Sequence, residues 1–92
     1  MPSLRIPQPL RSYTNGESIL SLQGNSVQEL LGDLGSQYPQ LKVHLYTKKG
    51  DLAAFIHIFV NEEDIRNLNG LQTSLSETDQ VVIVPSIAGG SL

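Results

Sequence analysis

Residues 26–39, SVQELLGDLGSQYP, carry the clearest helical signal in the chain. Ser26 stands where a helix N-cap is expected, and Glu29, three residues later, is placed to complete a capping box. Apolar residues then recur at offsets of three, four and seven, which puts four of them on one helix face. These are Val27, Leu30, Leu31 and Leu34. Tyr38 extends that face and Pro39 ends the helix, so we predict one amphipathic helix packed on a core.

Two strand signals precede this helix. Residues 3–6 form a short strand that is stopped by Pro7 and Pro9, because proline lacks the N–H that a strand ladder requires. Residues 11–16 indicate a turn, in which Asn15-Gly16 is the strongest hairpin signal of the sequence. Residues 17–22 then form the second predicted strand.

Residues 55–60, FIHIFV, form the best strand by residue type. The alternation of side chains puts Ile56, Ile58 and Val60 on one face and Phe55, His57 and Phe59 on the other. We expect the aliphatic face to be buried under the helix. Because the sequence offers no second element to cover the opposite face, that face is predicted to be exposed and to dock on an enzyme.

The remaining segments are short. Leu41, Val43 and Leu45 indicate an irregular or single-turn segment that leads to a turn at residues 48–51. Residues 61–64 indicate a tight acidic turn, residues 65–68 a brief return strand, and Asn69-Gly70 another turn. Residues 80–84 form the last strand, whose four consecutive apolar residues suit a strand covered on both sides or lying in the sheet centre. This order predicts an α+β protein of the β-grasp, or ubiquitin-like, class, with a mixed four- to five-stranded sheet on one main helix.

Composition excludes several classes of protein. The 92 residues suit one domain, contain no cysteine and carry a formal net charge of −3, which disfavours nucleic-acid binding. We expect no membrane segment and a cytoplasmic location, because no apolar run approaches the roughly 20 residues that span a bilayer. We also expect no bound cofactor and no metal. The carboxylates of residues 62–64 fit no calcium loop, and His57 and His44 have no ligand partners at suitable spacing.

The last strand is followed by Pro85-Ser86-Ile87-Ala88-Gly89-Gly90-Ser91-Leu92. Two glycines lack Cβ atoms and can pass through a narrow enzyme channel. We therefore divide the chain into a domain at residues 1–85 and a flexible tail at residues 86–92.

Residues 55–66, FIHIFVNEEDIR, resemble a block of the ubiquitin-like sulfur carriers, which include the small subunit of molybdopterin synthase and the thiamine-pathway carrier. That block is a hydrophobic strand followed by Val-Asn, an acidic pair, an aliphatic residue and Arg. Residues 70–90 resemble the segment that leads into the family's Gly-Gly, and Arg5-Ile6-Pro7 with Leu10-Arg11 fits its opening. The Pro-x-Ile/Val-Ala-Gly-Gly segment is most similar to the carrier that delivers sulfur for cysteine biosynthesis in actinobacteria.

The resemblance implies a carrier and not an enzyme. An adenylating, E1-like activating enzyme would use ATP to join the Gly90 carboxylate to AMP, and a sulfur donor would then leave a thiocarboxylate. Gly89 would let the tail pass, while Ile87 and Ala88 would join Phe55, His57 and Phe59 in partner binding. A sulfur-accepting synthase, such as a cysteine-synthase-like enzyme, would take the sulfur. Because Ser91-Leu92 follows Gly90, a metal-dependent protease would first have to remove it.

A second class of function remains open. A non-catalytic ubiquitin-like binding or modifier module would have the same fold and the same Gly-Gly segment. The receiving pathway also remains open among cysteine, thiamine, molybdopterin and tRNA thiolation.

Overall fold

The computed structural model of the protein describes residues 1–85 as a five-stranded sheet with two α-helices and three short 3-10 helices. The strands are β1 (Ser3–Arg5), β2 (Ile19–Ser21), β3 (Ile56–Val60), β4 (Glu63–Asp64) and β5 (Gln80–Pro85). The α-helices are α1 (Val27–Gln37) and α2 (Pro39–Leu45), and the 3-10 helices are Gln8–Thr14, Ile65–Asn67 and Gly70–Gln72. The predicted tail, including Ile87, Ala88, Gly89 and Gly90, lies outside the described residues.

The sheet is mixed, with strand order β2-β1-β5-β3-β4. β1 and β5 are parallel, with Leu4 opposite Val81, and every other pair is antiparallel. The last strand therefore lies in the sheet centre, which is one of the two placements that its apolar run predicts. Val81 and Ile83 are each 1% exposed, whereas Val84 is 40% exposed, so β5 is buried on one face only.

The core lies between α1 and one face of the sheet. The predicted helix face is confirmed, since Val27, Leu30, Leu31 and Leu34 are at most 1% exposed. The sheet contributes the aliphatic residues of β3, and Ile56, Ile58 and Val60 are likewise buried. Burial of one continuous apolar stripe is what holds a short helix with two internal glycines against the sheet.

The N-terminus of α1 is capped by side chains. The Ser26 hydroxyl accepts a hydrogen bond from the Glu29 N–H at 3.2 Å, as the sequence predicts. The Glu29 carboxylate accepts from the Asn25 N–H at 2.9 Å, one residue before the position of a standard capping box.

The segment after Pro39 is a helix, so the prediction of an irregular or single-turn segment was wrong. Pro39 lies in the first turn of α2, where a missing N–H costs nothing because helix starts leave N–H groups unbonded. Leu41 and Leu45, four residues apart, are at most 1% exposed, while Val43 is 74% exposed. Leu41, Val43 and Leu45 alternate along the chain, and this alternation did not indicate a helix, although the buried pair Leu41 and Leu45 has helical spacing.

The acidic segment forms a two-residue hairpin turn followed by a short strand. Asn61 and Glu62 adopt positive φ angles of 49° and 74°, and Glu63 then pairs with Val60. The predicted return strand at residues 65–68 was wrong, because residues 65–67 form a 3-10 helix. The Asp64 carboxylate accepts from the Arg66 N–H at 2.9 Å and thereby caps that helix.

The connection between β1 and β2 is longer than a hairpin turn. Asn15 and Gly16 adopt the positive φ angles, 57° and 83°, that an Asn-Gly turn requires. The preceding residues form the 3-10 helix Gln8–Thr14 instead of a simple turn.

Asp79 joins the entrance of β5 to the β3–β4 hairpin. Its carboxylate accepts from the Ser76 N–H at 2.8 Å and from the Asn61 side-chain amide at 2.8 Å. Asn61 in turn accepts from the Gln80 N–H at 3.0 Å. The hydrogen bond from the Ser76 backbone, followed by that from Asn61, holds the pKa of Asp79 below its usual value.

A lowered pKa makes stability depend on pH in a defined direction. The ionised carboxylate stabilises the fold above the unfolded-state pKa of about 4, and this contribution is lost as the pH falls through the lower folded-state pKa. We expect Asp79→Asn to lower the urea midpoint at pH 7 and to reduce its fall between pH 5 and pH 2. If the urea midpoint of Asp79→Asn falls between pH 5 and pH 2 as steeply as that of the unaltered protein, the assignment of this pH dependence to Asp79 is wrong.

Candidate functional site

The sheet face opposite α1 presents an apolar strip with charged ends. The strand register places Ile19, Arg5, Val82, Phe59 and Asp64 in one row across β2, β1, β5, β3 and β4. A neighbouring pair, His57 and Val84, extends the strip along β3 and β5. We call these seven residues the sheet-face strip.

Exposure within the strip is graded. Phe59, His57 and Val82 are half-buried, whereas Val84 is 40% and Ile19 55% exposed. Phe55, which immediately precedes β3, is 46% exposed. The three residues that the sequence assigned to this face are therefore accessible in residues 1–85, and the strip offers apolar area of the kind found in docking surfaces.

One end of the strip carries a hydrogen-bonded network. Arg66 Nη2 lies 2.9 Å from Asp64 Oδ2 and 2.5 Å from His57 Nδ1. A guanidinium has no acceptor, so Arg66 is the donor in its hydrogen bond to Asp64. The side-chain hydrogen bond from Arg66 holds the pKa of Asp64 below its usual value, and the same bond raises that of Arg66.

Sequence reasoning missed most of this strip. It found Phe55, His57 and Phe59 from the alternation of one strand, but Ile19, Arg5 and Val82 join them only through the order of strands in the sheet. The Asp64-x-Arg66 spacing was the available signal for the network, since an Asp commonly bonds the backbone N–H two residues later.

The last described residues lie beside this strip. Pro85 is opposite Ile56, and Val84 is opposite His57. Pro85, the last described residue, therefore lies near the end of β3 that Phe55 precedes.

The two histidines and the acidic segment have local structural roles. The His44 ring lies 4.4 Å from the Tyr13 ring, and the Glu63 carboxylate accepts from the Asn67 amide at 3.1 Å. Within residues 1–85, no three His, Cys, Asp or Glu side chains are grouped so as to hold a metal ion. Neither α1 nor α2 is long enough to cross a membrane, and the same holds for the shorter helices of that range.

Comparison with known protein families assigns the chain to one of them. A family model described as the ThiS family matches residues 4–90, which include all of the sheet but Ser3, both α-helices and the Gly-Gly segment. The chain belongs to the ThiS family. The resemblance to ubiquitin-like sulfur carriers that residues 55–66 and 70–90 carry is thereby confirmed.

Individual relatives agree with this assignment. The ThiS-family chain is 34% identical over 90 residues to the sulfur carrier protein CysO of Mycobacterium tuberculosis, covering 96% of this chain and 97% of CysO. It resembles the crystal structure of the Amycolatopsis orientalis BexX/CysO complex with a TM-score of 0.88 and 33% identity, covering 98% of this chain and 100% of that one. It also resembles the solution structure of small archaeal modifier protein 1 from Methanosarcina acetivorans, with a TM-score of 0.85 and 33% identity, covering 97% and 95%. These neighbours confirm the predicted β-grasp fold.

Proposed function

We propose that this ThiS-family protein is a sulfur carrier whose reactive group is the Gly90 carboxylate. The observation that carries the proposal is similarity to a sulfur carrier along nearly the whole chain, together with a Gly-Gly segment five residues from the central strand β5. The protein is a carrier module, and its partners perform the chemistry. Intact mass of the protein from its native cell tests this, because a thiocarboxylate differs from a carboxylate by sulfur in place of one oxygen.

The chemistry proceeds in two substitutions. The Gly90 carboxylate attacks the α-phosphorus of ATP, forming an acyl-adenylate and releasing pyrophosphate. Sulfide, as HS⁻, then attacks the Gly90 carbonyl carbon, the C–O bond to AMP breaks, and loss of the thiol proton leaves the Gly90 thiocarboxylate and free AMP. The carrier supplies no base for either step, and ATP is bound by the activating enzyme and not by this chain.

The domain contributes recognition and reach. Residues 85–90 span about 20 Å when extended, at about 3.3–3.6 Å per residue. That length takes Gly90 into an active site while the folded domain stays outside it. Gly89 keeps the approach free of side-chain atoms, and Ile87 and Ala88 would contact the walls of the entrance.

The sheet-face strip is the surface that we assign to the activating enzyme. Val84 of the strip directly precedes Pro85, so a partner that holds Phe59, His57 and the neighbouring Phe55 is also close to the residue from which the tail continues. A synthase that accepts the sulfur would bind the same strip. Similarity to CysO favours a cysteine-synthase-like acceptor in the cytoplasm. A metal-dependent protease that removes Ser91-Leu92 completes the proposed set of partners.

Truncation of Phe59 should separate docking from folding. We expect Phe59→Ala to weaken binding to the activating enzyme by tenfold or more, since central aromatic residues of interfaces cost about 2–4 kcal/mol on truncation. The free energy of unfolding should fall by only about 1 kcal/mol, because Phe59 is half-buried against Val82. Calorimetric titration and urea melts measure the two effects.

A suitable control is Val43→Ala, which removes an exposed apolar side chain from α2, away from the sheet. It should leave binding to the activating enzyme unchanged. If Phe59→Ala instead lowers stability severely and binding little, Phe59 belongs to the core and docking occurs elsewhere.

A modifier function is the second candidate, and similarity to small archaeal modifier protein 1 favours it. The same Gly90 acyl-adenylate would then be attacked by a lysine amine of a target protein, forming an isopeptide bond and releasing AMP. Peptide mass spectrometry of target digests distinguishes the two, because an isopeptide leaves a remnant ending in Gly90 on a lysine.

A further inference from the structure

A cavity of about 690 Å³ lies on the helical side of the molecule, away from the sheet-face strip. It is formed between α1, α2 and the turn that follows α2. Leu31 and Gly32 of α1, Val43 of α2 and Tyr46 supply much of its lining. Partial burial raises the pKa of the Tyr46 hydroxyl, which indicates a site with reduced access to water.

The exposed part of this cavity includes apolar side-chain atoms and uncovered backbone. Val43 is 74% exposed, the most exposed of the large apolar residues in the described range. Gly32 presents bare backbone, since a Cβ placed there would meet nothing within 4 Å. An apolar side chain of a partner therefore finds both an opening and apolar atoms to contact.

The rim of the cavity carries positive charge. All three lysines of the chain lie on α2 or the following turn, and Lys42 and Lys48 line the cavity directly, with Lys49 adjacent. Asp51 is the one carboxylate of the same turn, whereas the rest of the chain has eight acidic residues and three arginines. Among residues 1–85 no lysine forms an ion pair, so the three ammonium groups are available to a partner.

Lys42 is held in place by α1. A Cβ at Gly35 would lie 2.8 Å from Lys42 Cδ, so the lysine stem crosses directly over the bare Gly35 backbone. This packing positions the aliphatic stem of Lys42, which is an exposed residue that lines the cavity. Burial of a lysine stem with an exposed charge is the usual behaviour of this residue at a binding surface.

We propose that this cavity, the helical-side cavity, is a second docking site for an acidic segment of a protein partner that inserts a large apolar side chain. Charge complementarity selects the occupant, since clustered lysines on an otherwise acidic chain attract carboxylates and repel basic segments. The sheet-face strip lies on the sheet face opposite α1, so this partner binds while the activating enzyme or the sulfur acceptor is engaged on that strip. The proposal does not depend on the sulfur chemistry.

A phage library of random dodecapeptides selected on the intact protein tests the proposal. Before each round, the library is depleted on the folded variant Lys42→Glu/Lys48→Glu, which removes peptides that bind any other surface. We expect the surviving peptides to have net negative charge with a leucine or an aromatic residue, and to bind the variant at least tenfold more weakly. Amide NMR shifts with a selected peptide should concentrate at Gly32, Val43, Tyr46 and Lys48.

Two further variants keep the test decisive. Lys48→Glu/Lys49→Glu leaves the Gly35–Lys42 packing intact and should weaken binding as well, while Arg5→Glu, a charge reversal on the sheet face, should not. Far-UV circular dichroism confirms that each variant is folded. Failure of any peptide to survive depletion, survival of neutral or basic peptides, or shifts centred on Phe59 and Val82 would each overturn the proposal.

Discussion

A polypeptide ending at Gly90 should form an acyl-adenylate and then a thiocarboxylate with ATP, a sulfur donor and the cognate activating enzyme, whereas one in which Ser91-Leu92 follows Gly90 should form neither. Only the shorter form has a carboxylate on Gly90. In the longer form that carbon is an amide, and the nearest carboxylate lies two residues further along. The side chains of Ser91 and Leu92 would also crowd the channel of the activating enzyme, which has to accommodate only glycine when the chain ends at Gly90. We expect an effectively complete loss of activation, read by intact mass.

A substitution within the shorter form refines this prediction. Gly90→Ala should slow adenylation sharply, because its methyl group crowds the attacked carbonyl and restricts the backbone. Phe59→Ala in the same form should raise the concentration of carrier needed without abolishing the reaction. Equal activation of the long and short forms would contradict the requirement for Ser91-Leu92 removal, and failure of both with several candidate enzymes would favour a non-catalytic binding module.

Truncation of one residue in the α1 stripe should destabilise the whole domain. Leu31 is 1% exposed, and Leu31→Ala should cost about 2–5 kcal/mol through lost burial and the cavity that remains. Folding free energies of small domains are about 5–15 kcal/mol, so the change removes a large part of the total. Urea melts followed by circular dichroism measure it.

Val43→Ala is the matched control on the neighbouring helix. Val43 is 74% exposed, so Val43→Ala should change the free energy of unfolding by less than about 0.5 kcal/mol in either direction. A cost below about 1 kcal/mol for Leu31→Ala would mean that the stripe does not supply the core contacts that its burial indicates.

The parts of the fold that the sequence predicted depend on contacts between near neighbours. The α1 stripe and its Ser26 cap were predicted because helical periodicity and capping act within four residues along the chain. The faces of β3 were predicted for a similar reason, since alternate side chains of a strand must point to opposite sides. The Asn15-Gly16 turn was predicted because its two residues tolerate positive φ.

The wrong predictions concern segments in which two local patterns compete. At residues 41–45 an alternating apolar pattern and a helical pair coexist, and burial against α1 decides for the helix. At residues 65–68 the apolar residues favoured a strand, but the Asp64 carboxylate caps a 3-10 helix and ends β4 after two residues. In each case the deciding contact is made by a residue that lies outside the segment itself.

For the candidate site, too, some features follow from local sequence and others only from the tertiary structure. The sequence by itself determined the family, the buried helix face and the accessibility of Phe55, His57 and Phe59, because these follow from residue type and short spacing. Only the tertiary structure decided that Arg5, Ile19 and Val82 complete the sheet-face strip, that Arg66 bonds both Asp64 and His57, and that Lys42 and Lys48 line the same cavity as Leu31 and Val43. These groupings depend on strand order and helix packing, which bring together residues up to about 77 positions apart and which no local pattern in the chain encodes.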